Sequence, residues 1–314
     1  MKEIGGYFGL EQLPGKEYHQ GLLKLNNGRN GLLYLIRARK IRTLLLPYFL
    51  CDSVLDLEKR CDCQFRFYHI GQDLLPALEE AAQGDTWLYV VNYYGQLSND
   101  KVLALQKKYG NVILDNVQAF YQQPPQGVDT IYSCRKFFGV PDGGYLATTV
   151  RLETALPMDI SKDRMKHVLG RFEGTASQYY GDFQENDEKF STLEPMEMSA
   201  LTQNILRAID YEAVRRKRNE NYGILENALS SKNKLSLTAP DGPYCYPFYC
   251  ENGMQIKRQL AAERIYIPTL WPNVLQMDAA FERDLAENIL PLPCDQRYDQ
   301  EDMQRLLAAL EEYL

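Results

Sequence analysis

Ser133-Cys134-Arg135-Lys136-Phe137-Phe138-Gly139-Val140-Pro141-Asp142-Gly143-Gly144 is the stretch on which the reading of the chain turns. Its lysine follows a serine by three residues, at the end of the apolar run Thr130-Ile131-Tyr132, and aromatics and a glycine-rich turn come next. An earlier apolar run, Val112-Ile113-Leu114, ends in Asp115, with Gln118 three residues further on. A lysine at a strand end is the side chain that forms an imine with a carbonyl group. An acid at a neighbouring strand end pairs with a protonated pyridine nitrogen and so holds such a ring as an electron sink.

Working outward, strand-like and helix-like segments alternate. Strands are expected over 43–48, 65–70, 86–94, 112–114, 130–132 and 145–149, with helices over 32–39, 53–60, 74–83 and 99–109. Continuous apolar strands alternating with helices imply an α/β chain with a mostly parallel sheet covered on both faces. Ligands of such sheets gather at the carboxyl ends of the strands, so Asn92, Asp115 and Ser133 can share one crevice. Asn26-Asn27-Gly28-Arg29-Asn30-Gly31 opens the first helix, and its free N–H groups and dipole make a phosphate site of Gly28, Arg29 and Asn30. An ordinary asparagine N-cap accounts for the same residues.

Residues 1–24, with Gly5-Gly6 and Pro14-Gly15, read as an N-terminal arm, 25–200 as a large α/β domain, and 201–314 as a linking helix with a smaller α/β domain. Within this frame 185–189 is expected as a solvated loop and 198–229 as one long helix, whose basic run Arg215-Arg216-Lys217-Arg218 is a solvated face. A strand at 246–249, a helix at 254–263 and a strand at 264–268 follow. Met303, Leu306, Leu307 and Leu310 mark a final amphipathic helix.

Composition narrows the function classes. The chain has 314 residues, 45% apolar and 25% charged, with a net charge of −7, which argues against a nucleic-acid or anionic-membrane surface. No apolar run reaches the length of a transmembrane helix, and Met1–Tyr7 lacks the apolar core of a signal peptide, so the cytoplasm is expected. Seven scattered cysteines imply reduced thiols. With three histidines and no Cys-x-x-Cys, no metal site is expected.

Several segments together resemble the DegT-like sugar aminotransferases, which are fold-type I enzymes dependent on pyridoxal phosphate (PLP). Leu114-Asp115-Asn116-Val117-Gln118-Ala119-Phe120 is similar to their E/D-D-x-A-Q-A segment. Ser133-x-x-Lys136-x-x-Gly139 with Asp142-Gly143-Gly144 is similar to their lysine segment. Asn27-Gly28-Arg29 stands where the family has its phosphate-binding turn, and Pro47-Tyr48-Phe49 where it has a proline and a ring-stacking aromatic. Val91-Asn92-Tyr93-Tyr94-Gly95-Gln96 resembles V-H-x-Y-G-Q, Met198-Ser199 resembles the end of R-M-S, and Leu292-Pro293 matches the layout before the last helix.

The resemblance implies an imine between PLP and Lys136. It implies that Asp115 pairs with the ring nitrogen, Gln118 with the ring hydroxyl, and Ser133, Gly28, Arg29 and Asn30 with the phosphate, while Phe49 stacks on the ring and Asn92 borders it. Tyr93, Tyr94 and Trp271 line the substrate pocket in this reading, and Arg29, Arg135 and Arg297 are candidate clamps for carboxylate or phosphate. It further implies small-molecule substrates, glutamate as amino donor, a nucleotide-linked keto sugar as acceptor and a homodimer. This sequence departs from the pattern in five ways: lysine follows serine by three positions rather than five, the interval of 21 from Asp115 to Lys136 is short, Arg29 replaces a threonine, Glu197 replaces an arginine, and Thr269-Leu270-Trp271-Pro272 replaces a late His-Tyr segment. Two alternatives stay open: another PLP reaction, of lyase or desulfurase type using Cys51 or Cys134, and a catalytically degenerate binding or regulatory protein.

Overall fold

The computed structural model describes residues 4–78 and 84–314. In chain order the elements are β1 (Leu23–Leu25), α1 (Gly28–Ala38), β2 (Thr43–Pro47), α2 (Asp52–Leu55), β3 (Gln64–Ile70), β4 (Pro76–Ala77), β5 (Thr86–Val91), α3 (Asn99–Tyr109), β6 (Val112–Asp115), β7 (Asp129–Ser133) and β8 (Gly144–Ala147). Then come α4 (Lys166–Glu173), α5 (Tyr180–Lys189), α6 (Ala200–Arg207), α7 (Tyr211–Leu229), β9 (Tyr246–Tyr249), α8 (Gly253–Ala262), α9 (Ala280–Asn288), β10 (Ile289–Leu292) and α10 (Gln300–Glu311).

Eight strands form one sheet in the order β1-β8-β7-β6-β5-β2-β3-β4. Its central members β7, β6, β5, β2 and β3 are mutually parallel, and β1, β4 and β8 run antiparallel to their neighbours. The apolar runs explain the parallel centre. All four residues of β6 are buried, as are the last four of β5, which leaves no solvated face and requires cover on both sides. The register sets Val91 beside Asp115 and Asp115 beside Ile131, so the carboxyl ends of β5, β6 and β7 lie side by side.

The segments after β8 support this edge. The Asp142 carboxylate is fully buried and accepts bonds from Ser199 N and Ser199 Oγ, each at 2.8 Å, and from the Thr202 hydroxyl. Ser199 is also the N-cap of α6, so the glycine-rich turn and the Met198-Ser199 pair meet as one polar knot. A second, smaller core joins α7, α8 and α10 to the antiparallel β9–β10 pair through Tyr222, Phe248, Leu290 and Leu306.

Five expectations are corrected. The helix over 74–83 is replaced, where described, by a turn and the short β4, whose Ile70–Pro76 pairing makes a hairpin; residues 79–83 lie outside the described residues. Residues 185–189 are the last turns of α5, and Asn186 is buried because its amide donates to Pro141 O at 2.8 Å. The helix over 198–229 is two helices, since Asp210 caps Ala213 N at 2.9 Å and starts α7 afresh. Arg218 is buried rather than solvated. Residues 264–268 form no strand, and Arg264 adopts a positive φ of 63°.

The arm before β1 is pinned under the crevice by His19. Its Nε2 lies 2.7 Å from Phe120 O, and its ring sits 4.2 Å from the Tyr132 ring centre. Burial lowers its pKa from 6.5 to about 4. The folded chain therefore keeps the ring neutral where the unfolded chain takes up a proton. Stability should be complete above pH 6.5 and fall by about 3 kcal/mol as pH drops toward 4. Urea midpoints measured across this window should show a steeper decline for the wild type than for His19→Phe.

Candidate functional site

Asp115 ends β6 with only 4% of its surface exposed. Tyr89, on β5, donates its hydroxyl to Asp115 Oδ2 at 2.6 Å, and Val117 N donates to Oδ1 at 2.9 Å. Burial nevertheless raises the Asp115 pKa, against the Tyr89 bond, the charge of Lys136 and the Val117 bond, which lower it. Lys136 is therefore close enough to steady this carboxylate electrostatically. It is half-buried on the turn after β7, and its ammonium lies 5.6 Å from the centre of the Tyr244 ring. The turn is tight, with Phe137 N and Phe138 N both bonded to Cys134 O, at 3.0 and 2.9 Å. Ser133, half-exposed, starts it, paired in the sheet with Gly144.

Gln118 is 1% exposed. Its Oε1 accepts from Tyr94 N at 2.8 Å, which steadies a left-handed backbone at Tyr94 (φ 56°) ahead of Gly95 (φ 76°). Its Nε2 is buried without a partner, a donor that calls for an acceptor. Asn27 holds a second such donor. It caps α1, with Oδ1 accepting from Asn30 N at 2.7 Å, while its Nδ2 has no partner. The start of α1 presses on the strand ends. A Cβ on Gly144 would stand 2.7 Å from Tyr132 O, 2.9 Å from the Asn27 carbonyl carbon and 3.0 Å from Gly28 N. Arg29 is half-buried, and its charge adds to burial, the main cause, in lowering the Arg135 pKa.

The other expected site residues sit differently. Phe49 is 1% exposed and wedged between the rings of Trp271 (4.4 Å) and Tyr93 (5.3 Å), so it has no face left for another ring. Asn92 is fully buried and bonded to Leu97, Asn116 and Gln122, which makes it a loop brace. The Asn30 side chain is spent on Asn26 and on the carbonyls of Leu193 and Glu194, leaving it no bond for a phosphate. Tyr93 donates to Phe49 O at 2.7 Å, and Tyr93, Tyr94 and Trp271 form one buried aromatic group. Arg135 pairs with Asp187 at 2.9 Å and lies over the Phe190 ring. Arg297 is held by both oxygens of Asp295, at 2.6 and 2.8 Å.

Sequence reasoning did not find Tyr89, Tyr244 or the place of Cys51. Cys51 is half-buried just beyond β2, 2.8 Å from Ser53 Oγ. Burial raises its pKa, while the Ser53 bonds and the charge of Lys136 lower it, so its thiol borders the Lys136 crevice. Tyr89 was open to prediction, since it alternates with the buried Leu88 and Val90 in a strand that ends beside β6; the other two depend on long-range packing. Cys134 is fully buried, and burial holds it as a neutral thiol. Among the described residues, no three His, Cys, Asp or Glu side chains gather as a metal site, and no helix is long and apolar enough to cross a membrane.

No protein-family model matches this chain, and no curated protein does. Solved structures do. A DegT DnrJ EryC1 StrS aminotransferase from Brucella abortus aligns with a TM-score of 0.63 at 16% identity, over 93% of this chain and 85% of that one. DesV of S. venezuelae, solved in complex with a ketimine intermediate, aligns with a TM-score of 0.65 at 15% identity, over 93% and 84%. NtdA from Bacillus subtilis, with bound cofactor PMP, aligns with a TM-score of 0.67 at 14% identity, over 93% and 72%. At such identities the likeness establishes the fold. The chain has the fold-type I architecture of these aminotransferases over nearly its whole length.

Because the added Cβ would meet main-chain atoms that cannot swing aside, Gly144→Ala should destabilise the protein by about 2 kcal/mol through overpacking. A lowered urea midpoint with unchanged slope is the expected result. An unchanged midpoint would show that α1 does not bear on the strand ends.

Proposed function

We propose that this chain is a divergent member of the DegT-like sugar aminotransferases, a PLP-dependent enzyme whose cofactor lysine is Lys136. One observation carries the reading: a buried carboxylate, Asp115, and a half-buried lysine meet electrostatically at adjacent carboxyl strand ends of a fold-type I sheet. The residues fit the cofactor. Gln118 Nε2 and Asn27 Nδ2 are buried donors without partners, and the start of α1 presents N–H groups and a positive dipole.

When bound, PLP supplies an electron sink for carbanion chemistry. Asp115 would accept a hydrogen bond from the ring nitrogen, and Gln118 would donate to the ring hydroxyl. Ser133, Gly28, Arg29 and Asn27 would hold the phosphate. Lys136 would anchor the cofactor through its amine and, once that amine is free, could take up and return a proton as base and acid. Cys51, in place of Phe49, would border the ring, and the Tyr93, Tyr94 and Trp271 group would support the wall behind it. Arg135 and Arg297 orient substrate anions only after release from Asp187 and Asp295.

The finer reading is glutamate as donor and a nucleotide-linked keto sugar as acceptor, in surface-polysaccharide or secondary-metabolite biosynthesis, by a cytoplasmic homodimer. The dimer draws support from the fully exposed Ile4, Tyr7 and Phe8 of the arm and from exposed Phe172 on α4. The division into 25–200 and 201–314 belongs to the same proposal. The Cys51 thiol beside Lys136 keeps one second reading in view, a PLP lyase acting on a sulfur amino acid.

Purified protein mixed with PLP should gain a visible absorbance band, and borohydride should bleach it while fixing one cofactor mass on the peptide that carries Lys136. Lys136→Ala should take up no covalent mass. A wild type that takes up none either would refute the reading. Glutamate should shift the band without release of sulfide from cysteine, and the opposite pair of results selects the lyase.

A further inference from the structure

The turn that carries Lys136 is held from behind by the C-terminal half of the chain. Phe137 O belongs to the residue immediately after the lysine, and two donors converge on it. Gln296 Nε2 reaches it at 2.8 Å and Arg218 Nη2 at 3.3 Å. Arg218 also donates through Nη1 to Pro243 O at 2.8 Å and to Tyr244 O at 3.5 Å, and its guanidinium lies 4.6 Å from the Phe137 ring centre. Tyr244 in turn presents its ring to the Lys136 ammonium. One guanidinium therefore grips both the lysine turn and the segment that the lysine side chain packs against.

This is a costly arrangement. Arg218 is 1% exposed, and its hydrogen bonds go to main-chain carbonyls rather than to a carboxylate. Burial drives its pKa below the usual arginine value, and its Nε finds no partner. A buried arginine destabilises a core unless its donors are met in good geometry. Packing alone could be met by an apolar residue, so what the guanidinium adds is direction: three carbonyls from two separate segments fixed at one point. Gln296 is similarly placed, with Nε2 on Phe137 O and Oε1 buried without a partner.

We propose that Arg218 and Gln296 are positioning residues for Lys136. Together they fix the Phe137 carbonyl, and Arg218 also fixes Tyr244, so the C-terminal half sets the line along which the amine approaches the cofactor carbonyl. The inference rests on the reading of Lys136 as the cofactor lysine.

The test compares Gln296→Leu, Arg218→Met and Arg218→Lys with the wild type. Three quantities are measured: the rate at which PLP becomes borohydride-fixable on Lys136, the equilibrium affinity for PLP, and the thermal midpoint. Gln296→Leu should fold normally and bind PLP within twofold, yet fix it roughly tenfold more slowly, because a displacement of the reacting group costs rate rather than affinity. Arg218→Met should slow fixation further, and Arg218→Lys should recover part of the rate by restoring a charged donor. If Arg218→Met fails to fold, Gln296→Leu and Arg218→Lys decide. Wild-type fixation rates in the folded variants overturn the positioning role and leave Lys136 as the cofactor lysine. A wild type that fixes no PLP overturns both.

Discussion

Burial of the Asp115 carboxylate is the constraint on which the rest of the site depends. An ionised carboxylate at the end of a fully buried strand is destabilising unless hydrogen bonds and opposite charge answer it. The answers come from three neighbouring strand ends: the Tyr89 hydroxyl from β5, Val117 N just past β6, and the charge of Lys136 after β7. The sheet register and the chemistry are therefore one requirement. A one-residue slip of β6 would turn Asp115 to the opposite face, away from the Tyr89 hydroxyl, and would strand a charge in the core.

The same edge is tightened from two sides. In front, Gly144 and Gly28 let the start of α1 approach the strand ends to main-chain contact, which brings the positive pole of the helix to the crevice. Behind, Asp142 draws the N-terminus of α6 onto the glycine-rich turn through Ser199 and Thr202, and Arg218 and Gln296 hold the next carbonyl after the lysine. Lys136 thus projects from a turn whose main chain is fixed at both ends.

Most of the sheet was legible because its signals are local. Buried parallel strands read as apolar runs, and the strand-end positions of Asp115 and Lys136 followed from those runs alone. The cap of α1 by Asn27 and the amphipathic α10 follow from equally short-range rules. The failures are long-range. Phe49 carries the expected aromatic but is claimed by Trp271, more than two hundred positions away in the chain. Asn92 and Asn30 look like ligand side chains, yet neighbouring segments take up their amide N–H donors, the groups a phosphate would need. Arg218 stands in a basic run that reads as solvated, and only the restart of the helix at Asp210, which sets the facing of α7, turns it inward. Residues 264–268 have the composition of a strand yet pair with none.

The large core also bears on how this chain can be divided. Cys245, Trp271, Val274, Leu285, Ala286 and Ile289 belong to the same buried cluster as the strands of the eight-stranded sheet. These C-terminal residues are thus packed into the main core rather than appended to it. A fragment ending near residue 200 would lose the Trp271 side of its aromatic core and the grip on Phe137 together. Recombination between relatives at that boundary would have to exchange both halves of these contacts at once, so the two parts of the chain are bound to diverge in step.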